Sequence, residues 1–311
     1  MTLDPHVRRF LGTLSAGAAR RTSDLTVAER RASFVRLMSL GAEPPAIGAV
    51  EDRFIPGPAG PLRLRVYSPR LGAEDFLPGL VTFHGGGLVA GSLETHDGIC
   101  RTLSAASGCR ILAVDYRLAP EARFPAALED ACAATRWAID HAQALGIDSE
   151  RLGVAGESAG ATLAAAVCQM RAATGKGGIA FQVLLCPILD YQAETASRRE
   201  FAEGFLLDQG TLEHDLIHYL DAATDPADPR ISPLRASSLS GLPPACIHTA
   251  ECDPLRDEGQ CYAERLQAAG VPVRYCCHAG MIHLFYGLGA VIPRAAEAYR
   301  SLGADIRTLC N

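Results

Sequence analysis

Gly156-Glu157-Ser158-Ala159-Gly160 lies between the apolar run Leu152-Gly153-Val154-Ala155 and the helix-forming stretch Ala161-Thr162-Leu163-Ala164-Ala165-Ala166-Val167. A strand that becomes a helix within so few residues leaves no room for side chains two positions to either side of the apex, which is where the glycines stand. The apex residue is squeezed into strained torsions and its side chain is pushed outward. This strand, sharp turn and helix is the signature of a nucleophile elbow, with Ser158 as the exposed hydroxyl. It commits the chain to helices layered on a sheet.

Other segments supply what a weak serine nucleophile needs. His84-Gly85-Gly86-Gly87 follows the strand-like Leu80-Val81-Thr82-Phe83, and its glycines let backbone N–H groups aim into a cavity where negative charge develops. The expected donors are the N–H groups of Gly85, Gly86 and Ala159, the last directly after the nucleophile, with His84 bracing the loop. Ala245-Cys246-Ile247-His248-Thr249-Ala250 reads as a strand running into Glu251-Cys252-Asp253-Pro254. Asp253 is the favoured acid because it precedes the proline in the loop, whereas Asp257 and Glu258 fall on the next helix; Glu251 is the alternative. Gly280-Met281-Ile282-His283 closes the set, with His283 as general base and acid. The order serine, acid, histidine is that of the α/β-hydrolases and differs from the trypsin-like and subtilisin-like orders.

On these residues the chain resembles bacterial carboxylesterases of the hormone-sensitive lipase family, within the α/β-hydrolase fold. The likeness is carried by His84-Gly85-Gly86-Gly87, Gly91-Ser92-Leu93-Glu94-Thr95-His96-Asp97, Asp115-Tyr116-Arg117-Leu118-Ala119-Pro120-Glu121, the serine elbow, Asp253-Pro254-Leu255-Arg256-Asp257-Glu258 and Gly280-Met281-Ile282-His283. The family more often has Asp at Glu157, Gly at Ala161 and an aromatic at Leu88, departures that bear on pocket shape. The resemblance implies hydrolysis of short- to medium-chain esters through an acyl-enzyme, without cofactor or metal. It also implies a helical cap built from residues 1–48 and an insert at 191–232, over a catalytic core of 49–190 and 233–311. Leu88, Ile188, Phe205, Leu206, Leu284 and Phe285 are the candidate substrate-pocket lining, and dimerisation through the last strand or helix is implied by analogy.

Composition narrows the alternatives. A net charge of −6 and a single lysine, Lys176, exclude the phosphate-binding P-loop and Ser-Lys hydrolases, and no basic stripe suits nucleic acid. The 11 cysteines are scattered without a C-x-x-C pair, which reads as small buried hydrophobes in a reducing cytoplasm. No apolar run approaches the roughly 20 residues of a membrane span. The arginine-rich N-terminus superficially suggests a presequence, but Thr26-Val27-Ala28-Glu29 has capping-box spacing and favours helices.

Seven strands are expected at 62–67, 80–83, 110–114, 151–155, 181–186, 245–249 and 271–276, with helices between them, giving a mainly parallel sheet covered on both faces. Gly85-Gly86-Gly87-Leu88-Val89-Ala90 also fits a dinucleotide fingerprint, with Asp115 as its ribose acid, but no helix opens at those glycines and the reading leaves the serine, acid and histidine unused. His214-Asp215-Leu216-Ile217-His218 mimics a zinc-protease helix; a short Asp in place of Glu and the lack of a third ligand favour a solvated helix face. A receptor built on the same fold would lack the catalytic histidine, and His283 is present.

Overall fold

The computed structural model describes residues 2–16, 21–70 and 76–310. Two helices, α1 (Pro5–Ala16) and α2 (Val27–Met38), precede the sheet. The expected capping box opens α2: Glu29 N–H donates to Thr26 Oγ1 at 3.3 Å, and Thr26 N–H to the Glu29 carboxylate at 2.8 Å. There follow β1 (Ala49–Gly57), β2 (Gly60–Ser68), β3 (Leu77–Phe83), α3 (Asp97–Ser107), β4 (Arg110–Val114), α4 (Ala126–Asp140), β5 (Ile147–Glu157), α5 (Ala159–Ala173) and β6 (Gln182–Leu185). After β6 come α6 (Ala196–Glu200) and α7 (Gln209–Tyr219), then β7 (Ala245–Cys252), α8 (Arg256–Ala268), β8 (Val273–Ile282) and α9 (Ala295–Leu309).

Among the described residues the strands form one sheet in the order β1-β2-β4-β3-β5-β6-β7-β8. From β4 to β8 every neighbour is parallel, while β1 and β2 are an antiparallel hairpin on the edge. Period-2 alternation splits the central strands between two cores. Val81, Leu112 and Val154 pack with Ala131 of α4, Ala164 of α5 and Leu266 of α8. Leu80, Ile111 and Ala155 pack with Leu103 of α3 and Leu302 of α9. Both faces are thus largely apolar at the centre of the sheet.

The eighth strand, β1, lies outside the seven expected from sequence. Its Glu51-Asp52-Arg53 centre and Pro56 lack the apolar signal of a buried strand, and Phe54 on it is 70% exposed. Among the described residues no helix is long and apolar enough to cross a membrane.

Candidate active site

Parallel strands bring their C-terminal ends to one edge, and every element of the expected site leaves from there. Ser158 follows β5, Asp253 follows β7, His283 follows β8, and the glycine loop follows β3. At the elbow Ser158 sits at φ 55°, ψ −119°, a conformation strained for a residue with a side chain. A Cβ on Gly156 would run into the Gly160 carbonyl, and one on Gly160 into the Phe83 carbonyl. The apex is pinned to β6 by Ser158 N–H donating to Leu185 O at 2.9 Å.

His283 Nε2 stands 3.0 Å from Ser158 Oγ, and its Nδ1 stands 2.8 Å from Asp253 Oδ2. An ionised carboxylate only accepts, so the ring proton is held on Nδ1 and the Nε2 lone pair faces the serine. Asp253 is wholly buried, and its other oxygen accepts Leu255 N–H at 2.9 Å. Glu251 goes elsewhere: its carboxylate accepts Gly280 N–H at 2.7 Å and so shapes the loop that carries the histidine. Burial opposes the His283 imidazolium, but the charge and hydrogen bond of Asp253, with the charge of Glu157, outweigh it and lift the pKa above the ordinary histidine value.

Glu157 immediately precedes the serine at the end of β5. Its carboxylate is buried, 3.7 Å from His283 Nε2 on one oxygen and 3.8 Å from His96 Nε2 on the other. Neither oxygen has a hydrogen-bond partner among the described residues. The group therefore acts on the site by charge at short range in a low dielectric.

In the glycine loop one expectation is corrected. Gly85 N–H donates to His96 Nε2 at 3.2 Å and is already engaged. Among the described residues the N–H groups of Gly86, Gly87 and Ala159 make no hydrogen bond. Gly86, Gly87 and Leu88 all have positive φ, at 114°, 68° and 63°. A Cβ on Gly87 would strike the Asp215 carboxylate of α7. His84 braces the loop, its Nδ1 2.8 Å from Gly85 O, and burial holds it neutral with its pKa lowered to about 3. Tyr116 donates to His84 O at 2.6 Å and stacks on its ring at 4.2 Å. The supporting roles of His96 and Tyr116 went unread in sequence, although the motifs containing them were visible.

The expected pocket residues separate. Leu88, Ile188, Leu284 and Phe285 are core side chains at 0–4% exposure, whereas Phe205 and Leu206 are half-buried. Phe285 packs its ring 5.1 Å from His278 and 4.3 Å from Tyr286. A cavity of about 750 Å³ opens at the other end of the sheet, bounded by Leu77, Asp148 and Arg307 among others, and no triad residue lines it.

The His214 and His218 helix is not the solvated face that its sequence suggests. His214 and Asp215 are buried, and His214 uses both ring nitrogens, on Asp215 Oδ1 and Leu25 O, each at 3.1 Å. The dinucleotide geometry is likewise absent among the described residues, since α3 starts at Asp97, ten residues past the glycines.

A family model described as the alpha/beta hydrolase fold matches residues 80–287. The chain belongs to the hormone-sensitive lipase family of carboxylesterases. This esterase is 42% identical over 294 residues to carboxylic ester hydrolase LipN of Mycobacterium tuberculosis, covering 92% of this chain and 78% of that one. It is 37% identical to an ethyl acetate hydrolase of Pseudomonas putida, covering 96% of each. Among solved structures, an esterase of the archaeon Pyrobaculum calidifontis superposes with a TM-score of 0.93 at 40% identity, covering 99% of both chains. The esterase is a carboxylic ester hydrolase.

Proposed function

We propose that this enzyme hydrolyses short- to medium-chain carboxylic esters through an acyl-enzyme on Ser158. The observation that carries the reading is the hydrogen-bonded row from Ser158 through His283 to Asp253 at 3.0 and 2.8 Å, set on a strained elbow. His283 takes the serine proton as Oγ attacks the ester carbonyl, then gives it to the departing alcohol; water repeats the two steps on the acyl-enzyme. Asp253 holds the ring in its Nδ1–H tautomer and stabilises the imidazolium. The uncommitted N–H groups of Gly86, Gly87 and Ala159 receive the oxyanion, each typically worth about 3 kcal/mol in the transition state.

The short-acyl preference is supported by the name of the ethyl acetate hydrolase among its relatives. A cap made by the N-terminal helices and the insert is supported by the contact of α2 with α7, where Arg30 pairs with Asp215 at 2.9 Å. Such a cap excludes water from the acyl-enzyme until the alcohol has left. Pairing of two chains through β8, the last strand of the sheet, completes the proposal.

Hydrolysis of p-nitrophenyl esters of graded acyl length, by wild type and Ser158→Ala, tests the reading. Turnover highest on short acyl groups and lost by a factor of about 10⁴ or more in the variant is the expected outcome. A variant as active as wild type would remove Ser158 from the mechanism.

A further inference from the structure

A second polar cluster lies on the α9 side of β7 and β8 and shares no residue with the triad. His248 of β7 is fully buried, and Cys276 of β8 stands directly opposite it in register. Side chains two apart on a strand share a face, so Arg274, Cys276 and His278 all point the same way as His248. His278 Nε2 comes to 3.0 Å from His248 Nδ1, and the Tyr286 hydroxyl lies 2.8 and 3.0 Å from those two nitrogens. One ligand atom from each of His248, Cys276 and His278 lies within 4.8 Å of the others. Behind His248, its Nε2 is 3.2 Å from Asp305 of α9, whose other oxygen accepts from Arg274 at 2.8 Å.

We propose that His248 Nδ1, His278 Nε2 and Cys276 Sγ form a structural site for a zinc-class divalent cation that ties β7 to β8, with the Tyr286 hydroxyl bordering the fourth position. The Asp305 carboxylate keeps a proton on His248 Nε2 and directs the Nδ1 lone pair inward, which is how metal-ligating imidazoles are oriented. Two imidazoles and a thiolate are a donor set suited to zinc. Tetrahedral zinc with bonds of about 2.0–2.3 Å sets its ligand atoms roughly 3.3–3.7 Å apart, so the two rings need separate by only a few tenths of an ångström. Cys276 and His278 are half-buried, which leaves the cation a way in. On binding, the Cys276 thiol gives its proton to solvent and the sulfur forms the metal bond.

Titration of the purified full chain with Zn²⁺, and separately with Co²⁺, tests this. The expected result is uptake of one equivalent, with Co²⁺ giving visible d–d bands and a thiolate-to-cobalt charge-transfer band. Cys276→Ser removes that charge-transfer band, and His278→Ala and Asp305→Asn each weaken binding tenfold or more. Cys277→Ser changes neither readout, because the exposed Cys277 projects from the opposite face of β8. The altered ligands are half-buried, so circular dichroism of the variants stays that of wild type. No stoichiometric uptake by wild type, a charge-transfer band that survives Cys276→Ser, or one that vanishes in Cys277→Ser overturns the site.

Discussion

At the scale of single residues the proposed chemistry turns on which groups face His283. In the proposed mechanism the base form of His283 is the working one, and its pKa is raised, so the acid limb of kcat/KM is expected above the ordinary histidine value of about 6.5. Glu157→Gln removes one of the charges that raise it. The limb then moves to lower pH, and the plateau falls several-fold because the imidazolium loses a stabilising neighbour. A pH profile of the variant that superposes on wild type would show that the charge is not felt at the ring. Asp253→Ala lowers kcat by about 10³- to 10⁴-fold, whereas Glu251→Ala, which loses a loop hydrogen bond, retains most turnover; steady-state kinetics on one ester decides between them. The position of Asp253 beside His283 was legible because a proline follows it at a strand end. The Gly85 N–H was misread because the direction of an amide in a glycine loop depends on His96, eleven residues away.

Helix α2 and helix α7 meet over the glycine loop through charges that no local pattern pairs. Arg30 grips Asp215 with two hydrogen bonds, at 3.3 and 2.9 Å, and both side chains are at most 10% exposed. Next to it Arg31 donates to Val89 O at 2.8 Å and to Ala119 O at 2.9 Å, tying α2 to the segment after the glycines. Asp215→Ala leaves the Arg30 guanidinium buried without its partner, at a cost of about 3–5 kcal/mol in urea unfolding. Replacing both partners by apolar residues recovers most of that loss, and a double variant no better than Asp215→Ala would contradict the pairing. The capping box made the helix legible in sequence, but the partner of Arg30 was not, because it lies 185 residues away. The same separation hid the burial of His214.

Over the whole molecule, surface carboxylates gripped by arginine contribute to the response to acid. Hydrogen bonding from Arg65 lowers the Asp52 pKa to about 2, and from Arg31 lowers that of Glu121 to about 2. Each folded pKa lies below the unfolded one, so the stabilisation is complete above about pH 5 and is lost as pH falls through about 2. The two groups are mostly exposed, so the effect is modest and weakened by salt. Thermal unfolding of Asp52→Asn/Glu121→Gln should lie below wild type at pH 6 and meet it near pH 2; curves that stay parallel would refute the linkage. The alternation of buried strands and helices, the elbow, and the order of Ser158, Asp253 and His283 were all determined by local sequence, because turn sterics and strand periodicity act over a few residues. What only the tertiary structure decided was which amides stay uncommitted, where Glu157 points, which pocket candidates are core, and how His248, Cys276 and His278 converge. Those depend on contacts between distant segments, and sheet register and helix docking settle such contacts only once the whole chain has packed.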